Sequence, residues 1–483
     1  MRARVSWLSE AEKELIVQEA LGLLERVGVG LAGTGRMAEL AAAGARVDEA
    51  AGVVHFPPEL VMDAVARIPR RVVMAGVAPE YDVVLDEGQA AHFCSSGCAA
   101  FVLDHTTGVR RPSTLADLQA ATALLDETDA LDLMWTTITA NDVPIEVREL
   151  VGYYAVLCES HKHVTFVDSP SQADPVIRMI DIISSGEADF RERPRFSTLF
   201  TVASPLKIDG ELLDFHAATA ARGVPVEVYT VPMAGATSPV SVAGTVVQGL
   251  AEFLAAAAAL QTLAPGARLI MGSSGSVMDM RSAGISYAAP EAALMNAASV
   301  ELAHHLGFPA AVPGLSTDAK HPGEQAGWEK ALKGLTTAAA EADVISGGMG
   351  MIDSVNTLYL PQIVLDAEIV GMIHRLLAEV EVTRESMFVE MIERQGIGGN
   401  FLMEKETTRR LRAGEHYLPL VSARQGYDAW KADGRDEVDL AAARMGALLA
   451  ARAERAPALN AEQRRELAAV CGVTGEMARA LGH

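Results

Sequence analysis

Between residues 95 and 355 the sequence repeats one unit, a short apolar run followed by a longer helical stretch. The runs fall at 99–104, 131–139, 164–168, 196–202, 226–231, 269–272, 310–314 and 344–346. Their spacing, roughly 30 to 40 residues, is the length of one βα unit. Eight such units predict a parallel (β/α)8 barrel, the TIM barrel. The first run is the weakest and also fits a hairpin. Many runs end in small or polar residues: Thr136-Thr137, Asp168-Ser169, Ala203-Ser204, Ser273-Ser274, Ser316-Thr317-Asp318 and Gly347-Gly348. In a TIM barrel those positions lie on the C-terminal face, where function gathers. The alternation is too regular for a helical bundle and lacks the N-terminal glycine fingerprint of a dinucleotide fold.

The flanks read differently. Residues 9–30 have helical periodicity, and Ser9 with Glu12 fits a capping box. Residues 36–90 mix short helices and extended pieces. The tail from about 385 is helical and charged, broken at 396–399 and at Pro457. The expected organisation is a mixed, largely helical extension over 1–90, a catalytic barrel over 91–380, and a helical extension over 381–483.

Charge narrows the partners. Against 40 basic residues stand 63 acidic ones, a net charge of -23. That argues against nucleic acid and anionic membrane, and it suits a cationic substrate as well as plain solubility. Four cysteines (Cys94, Cys98, Cys158 and Cys471) cannot build a dense disulfide framework, so a reducing cytoplasm is expected. The N-terminus lacks the apolar run of a signal peptide. The Ala-rich stretch 250–264 is shorter than the roughly 20 residues of a membrane span. It contains Glu252 and reads as a buried barrel helix.

Four stretches carry candidate chemistry. In PMAGATSPVSVAGTVVQGLAE (232–252), Gly235 allows close backbone approach, and Thr237 either caps the next helix or donates to a ligand. In MGSSGSVMDMRSAGISYAAPE (271–291), the Gly-Ser density around Ser274 could cradle an anion. There Asp279 and Arg281 could pair with each other, and Glu291 suits either a helix start or a site. PGLSTDAKHPGEQAGWEK (313–330) is the densest, with Asp318, Lys320, His321, Glu324 and Gln325 within eight residues of a strand end. SGGMGMIDSVNTLYLPQIVLDAEI (346–369) opens on Gly348, Met349 and Gly350, a turn that could hold part of a cofactor but lacks the Gly-Lys-Ser/Thr of a P-loop. His92, Cys94 and Cys98, or His161 and His163, hint at metal, but neither group has a full ligand set at zinc-like spacing, so no protein-bound metal is expected. No Gly-x-Ser-x-Gly elbow supports a serine hydrolase.

In this order, and with DHTTGVRRPSTLADL (104–118), GNFL (399–402) and YDAW (427–430), the four stretches resemble the trimethylamine:corrinoid methyltransferase family over about residues 10–435. The resemblance implies a TIM barrel with helical extensions. It implies methyl transfer from a methylamine to the cobalt of a corrinoid (cobalamin) carried by a small partner protein. Founding members place a pyrrolysine just before the segment matching TDAK, near Leu315 or Ser316 here; this sequence has ordinary residues there. It therefore resembles the non-pyrrolysine branch, which demethylates quaternary amines such as glycine betaine. Glu406 precedes Thr407 where the family often has His, which puts a role for that position in doubt.

The chemistry points the same way. A quaternary ammonium leaves as a neutral tertiary amine and needs no acid, whereas a free tertiary amine would expel an amide anion. The enzyme's work is then positioning, and holding a cation that has no hydrogen to donate. Aromatic faces do that, and Phe93, Trp135, Trp328 and Tyr359 are the candidates. Glu291 and Leu315 are further candidates for the substrate pocket. Lys320, His321, Arg281 or the Gly-Ser backbone would meet a betaine carboxylate, and Asp318 with His321 would be catalytic. Gly235, Thr237, Ser274, Gly348, Met349 and Gly350 would face the corrinoid. A tertiary amine donor, a folate acceptor or a barrel that only binds remain alternatives. Ala-rich helices favour a homo-oligomer.

Overall fold

A computed structural model describes residues 5–86, 88, 90–97, 99–167 and 173–481. The strand ending at Asp168-Ser169 and the position Cys98 therefore lie partly or wholly outside the described residues. Eight strands close into one parallel barrel. They are β1 (His92–Ser95), β2 (Leu133–Trp135), β3 (His163–Phe166), β4 (Phe196–Val202), β5 (Val226–Thr230), β6 (Leu269–Ser273), β7 (Ala310–Pro313) and β8 (Val344–Met349). They pair in sequence order, and β8 returns to β1. Each is followed by a helix: α1 (Leu115–Asp126), α2 (Arg148–Glu159), α3 (Asp174–Ile183), α4 (Gly210–Ala221), α5 (Val242–Leu263), α6 (Pro290–Leu306), α7 (Glu324–Ala339) and α8 (Leu360–Leu377). The TIM barrel expected from the repeat is present.

The first barrel strand is not the expected run at 99–104. Phe101–Leu103 instead pairs antiparallel with Arg110–Pro112 and parallel with Thr357–Leu358, in a small separate sheet. The reason is local turn chemistry. The Asp104 carboxylate accepts from the N–H groups of Thr106 and Thr107, closing a hairpin. The Arg110 guanidinium then stacks 3.6 Å above the Phe101 ring. His92–Ser95 takes the barrel position because its alternate residues suit a barrel: Phe93 faces outward and Cys94 inward.

Alternation along every strand divides the molecule into two cores. Outward residues such as Phe166, Phe200, Val228, Met271 and Ile345 pack under the helices. Inward residues form a second cluster of Cys94, Leu133, Trp135, Leu199, Tyr229, Ile270, Ala311 and Val344. Its lower end is stoppered by the hairpin Val72–Met74/Val83–Leu85, whose Val72, Met74, Val83 and Leu85 join the same cluster. At the opposite end Thr201, in the inward row above Leu199, is exposed.

The capping box at Ser9 and Glu12 starts a helix over Glu10–Arg26. That helix and Pro58–Arg67 cover α5, so the run Ala255–Ala259 is wholly buried. Among the described residues α5 is the one helix long and apolar enough to cross a membrane, and 78% of its apolar window is buried inside the protein. Glu437–Ala453 packs on α8 and α1, and Ala461–Cys471 on α2 and α3. Between α8 and these helices, the chain from 381 to 435 forms only short helices and leaves Ile397, Leu402 and Met403 exposed.

Candidate functional site

The lumen is largely apolar, and most of its polar side chains form one row. Thr165 and His163 on β3, Ser197 on β4, and Glu227 and Tyr229 on β5 all point inward and are buried. Their positions follow from alternation: Glu227 and Tyr229 are two apart, as are His163 and Thr165. Thr165 Oγ1 lies 2.6 Å from Glu227 Oε1 and 2.9 Å from Ser197 Oγ. Ser197 Oγ lies 2.9 Å from His163 Nε2. His163 Nδ1 lies 3.1 Å from the carbonyls of both Ala75 and Pro194. Burial pushes Glu227 up to about 7; a hydroxyl hydrogen given by Thr165 to the carboxylate would oppose that rise. It pushes His163 down to about 3. A carboxyl there sits near neutrality, which marks it as a functional candidate.

Two aromatic rings lie above Glu227. Trp135 and Tyr229 meet edge to face with centroids 5.5 Å apart. The Tyr229 hydroxyl contacts Ser346 Oγ at 2.9 Å, and burial holds it far above the ordinary phenol range. Gly272 makes room for the ring: a Cβ there would come within 2.0 Å of Tyr229. The Trp135 indole N–H is turned toward the Glu227 carboxyl and favours its charged form, yet falls outside hydrogen-bond geometry. Trp135 Nε1 and Glu227 Oε2 are thus both buried without a hydrogen-bond partner. A carboxyl beneath aromatic faces, with one oxygen unspent, is suited once ionised to a cation that cannot donate hydrogen bonds.

The dense loop after β7 does something else. Asp318 accepts from the Ser286 hydroxyl, the N–H groups of Tyr287 and Ala288, and the Ser354 hydroxyl. It ties the loops following β6, β7 and β8 together, and its lone pairs are spent on that. Lys320 points to solvent and pairs with Asp353 at 2.7 Å. His321 is exposed, with Nδ1 2.7 Å from the Pro322 carbonyl oxygen. Below them two lysines are wholly buried. Lys330 binds Asp366 at 2.7 Å and the Gly348 carbonyl at 2.8 Å; burial pushes the amine down and the carboxyl up, and each opposes the other's shift. Lys333 donates to the Tyr287 carbonyl at 2.6 Å and is pushed down to about 7 by burial.

The remaining candidates scatter. Phe93 lies on the outer face of β1, edge to face with His374 at 5.1 Å. Trp328 is 58% exposed on α7. Tyr359 caps α8 near Asp436 and Asp439, outside the lumen. Glu291 is exposed in the first turn of α6. Leu315 is buried against Gly348, where a Cβ would come within 2.0 Å of the Leu315 carbonyl, so only glycine fits. Met349 is wholly buried in the outer core, and Gly350 donates its N–H to Asp366. Gly235, at φ +87°, abuts Met280, and the Thr237 hydroxyl accepts from the Met233 N–H. Ser274 directly follows β6 and donates its N–H to the Thr230 carbonyl. Arg281 is exposed and pairs with Asp279 at 3.4 Å. His161 bonds Asp126 at 2.6 Å while His163 turns into the lumen, so the two do not share a ligand. Among the described residues no group of three potential ligands could hold a metal. Of the expected aromatic cage only Trp135 reaches the lumen. Glu227 and Tyr229 were missed, although a lone acid two residues before a tyrosine in VEVYTV is a visible anomaly for a buried strand.

Comparison with known proteins bears on what this barrel does. A model of the trimethylamine methyltransferase family matches residues 2–472. The chain belongs to the trimethylamine methyltransferase family. The expected class of enzyme, methyltransferase, is the class of that family. The trimethylamine methyltransferase of Desulfitobacterium hafniense is 31% identical over 405 residues, covering 84% of this chain and 81% of that protein. The glycine betaine methyltransferase of the same species, strain Y51, is 28% identical over 445 residues, 92% of each. The crystal structure of the Methanosarcina barkeri monomethylamine methyltransferase shares the fold, with a TM-score of 0.53 at 12% identity over 90% of this chain and 87% of that one.

Proposed function

We propose that the protein moves a methyl group from a quaternary amine of the betaine type to the Co(I) corrinoid of a small partner protein. The observation that carries this reading is Glu227 buried beneath Trp135 and Tyr229 in the middle of the barrel. A quaternary ammonium offers charge and methyl groups but no hydrogen. It is held by a carboxylate and by ring faces, each ring contributing about 0.5–2 kcal/mol. The cobalt electron pair forms the bond to the methyl carbon. The C–N pair stays on nitrogen, and a neutral tertiary amine leaves. No proton donor takes part, and the chain's task is to aim one methyl group at the acceptor.

The closed lower end of the lumen supports one approach for the acceptor. The lower end of the lumen is closed by Val72, Met74, Val83 and Leu85, so the corrinoid comes to the mouth near Thr201. Of the donors considered for a betaine carboxylate, Lys320 and Arg281 already pair with acids, and the exposed His321 turns Nδ1 to the Pro322 carbonyl oxygen. The Gly-Ser turn around Ser274, just beyond Gly272, is left as its place. The reading includes a homo-oligomer, which the exposed Ile397, Leu402 and Met403 would suit. The trimethylamine relatives favour a second reading with a tertiary amine donor, bound as its protonated ammonium, whose N–H would donate to the Glu227 carboxylate.

Cobalamin absorbance under reducing conditions separates these. Glycine betaine or a close quaternary relative should give methylcobalamin from free cob(I)alamin, and trimethylamine should not. No product with any of a panel of quaternary amines would overturn the first reading. Transfer only from trimethylamine would install the second.

A further inference from the structure

The four-member chain in the lumen contains a hydrogen count that settles one protonation state. His163 Nδ1 faces only carbonyl oxygens, those of Ala75 and Pro194, so it carries a hydrogen. The ring is wholly buried with no carboxylate in contact, so it is neutral and Nε2 is bare. Ser197 must therefore donate to Nε2. Its oxygen can then only accept from Thr165, and Thr165 must donate to Ser197. Thr165 now presents only a lone pair to Glu227 Oε1, 2.6 Å away. The hydrogen in that short contact has to come from Glu227.

We propose that the substrate-free protein holds Glu227 as a neutral carboxylic acid, and that binding of an onium cation in the lumen expels its proton to solvent. This rests on Glu227 being the cation site. The step balances. The O–H bond of Glu227 breaks, the proton leaves, and a carboxylate stays beside the cation. The other groups facing Glu227 cannot keep the proton. Cys94 is buried and its thiol stays protonated; the Tyr229 phenol likewise. Trp135 and Thr165 do not titrate. Around His163 stand Ser197, two carbonyls, and more distantly Arg195 and Asp82, whose effects oppose each other. His163, Ser197 and Thr165 act through Glu227 as positioning residues. The arrangement spares the empty barrel an unpaired buried charge. It makes substrate binding tighter as pH rises.

Calorimetric titration of the full chain with glycine betaine, and separately with tetramethylammonium, in two buffers of different ionisation enthalpy counts the protons. We expect about one proton released per cation at pH 6, falling toward none by pH 9, with affinity dropping about tenfold per pH unit on the acid side. Glu227→Gln keeps the hydrogen-bond pattern, because its amide N–H replaces the acid O–H. It should bind weakly and release no proton at any pH. Ser197→Ala frees the Thr165 hydroxyl to donate to a carboxylate, so the midpoint of proton release should move down by about one pH unit. A purely structural serine would leave that midpoint in place. Infrared difference spectra should show a carboxylic-acid C=O band in the free protein that is lost on cation binding and missing from Glu227→Gln. Tight cation binding at pH 6 with no proton release would overturn the proposal and leave the site standing. Absence of any cation binding would overturn both.

Discussion

The loop after β7 and the lumen of the barrel make opposite use of polar residues. The loop gathers Asp318, Lys320, His321, Glu324 and Gln325 within eight positions, and most of them are spent on solvent or on neighbouring loops. The lumen holds few polar groups, yet two of its polar atoms, Trp135 Nε1 and Glu227 Oε2, have no hydrogen-bond partner. The difference is one of cost. A polar side chain in a surface loop is cheap, so a cluster of them says little about chemistry. A carboxyl inside an apolar barrel is expensive to keep, so one such residue says much.

Substitutions can break or sharpen that contrast. The largest effect should come from Asp318→Ala, which strips an acceptor from two N–H groups and two hydroxyls at once. Loss on the order of 3–5 kcal/mol is expected, seen as a clear fall in melting temperature. A variant that melts like the wild type but no longer transfers methyl groups would return Asp318 to the chemistry. Next, Glu227→Gln should cut transfer by about 100-fold, or about 2.7 kcal/mol. Its pH signature follows from burial. The folded carboxyl titrates near 7 against 4.5 for the ordinary group, so the folded wild type prefers the protonated form and loses stability as pH rises between those values. Glutamine carries no such loss. Melting temperatures at pH 5 and pH 8 should show the variant gaining on the wild type at the higher pH.

Smaller effects should fall on the rings. Trp135→Leu should raise KM by about 2- to 30-fold, the range of one cation–π contact, with kcat less affected. Gly272→Ala should act like loss of Tyr229, since its Cβ would strike that ring. The smallest effects belong to the loop. His321→Ala and Lys320→Ala should stay within about twofold of wild type in transfer rate, as exposed positions usually do.

Much of the architecture was legible because a βα unit has a length and a period that apolar residues must respect. Seven strands sit in or across the expected runs for that reason. The first strand was hidden because His92–Ser95 mixes polar and apolar residues, while Phe101–Leu103 has stronger strand composition and an Asp104 turn to close a hairpin. The capping box at Ser9 was legible because its chemistry is local. The site was mostly not, because its members come from four strands between residues 135 and 229. Trp135 could be chosen as an aromatic ring, but only barrel closure puts Glu227 and Tyr229 beside it. Gly348 and Leu315 show the converse: loop residues with a functional look turn out to let two backbones touch.

The central claim is that the methylated amine is held at Glu227 in the lumen and not by the loop after β7. The direct measurement is the rate of methylcobalamin formation from cob(I)alamin and glycine betaine by the wild type, Glu227→Gln and His321→Ala, followed side by side. The account predicts similar rates for wild type and His321→Ala, and a rate about 100-fold lower for Glu227→Gln. A Glu227→Gln enzyme as fast as the wild type, beside a folded but inactive His321→Ala, would contradict it.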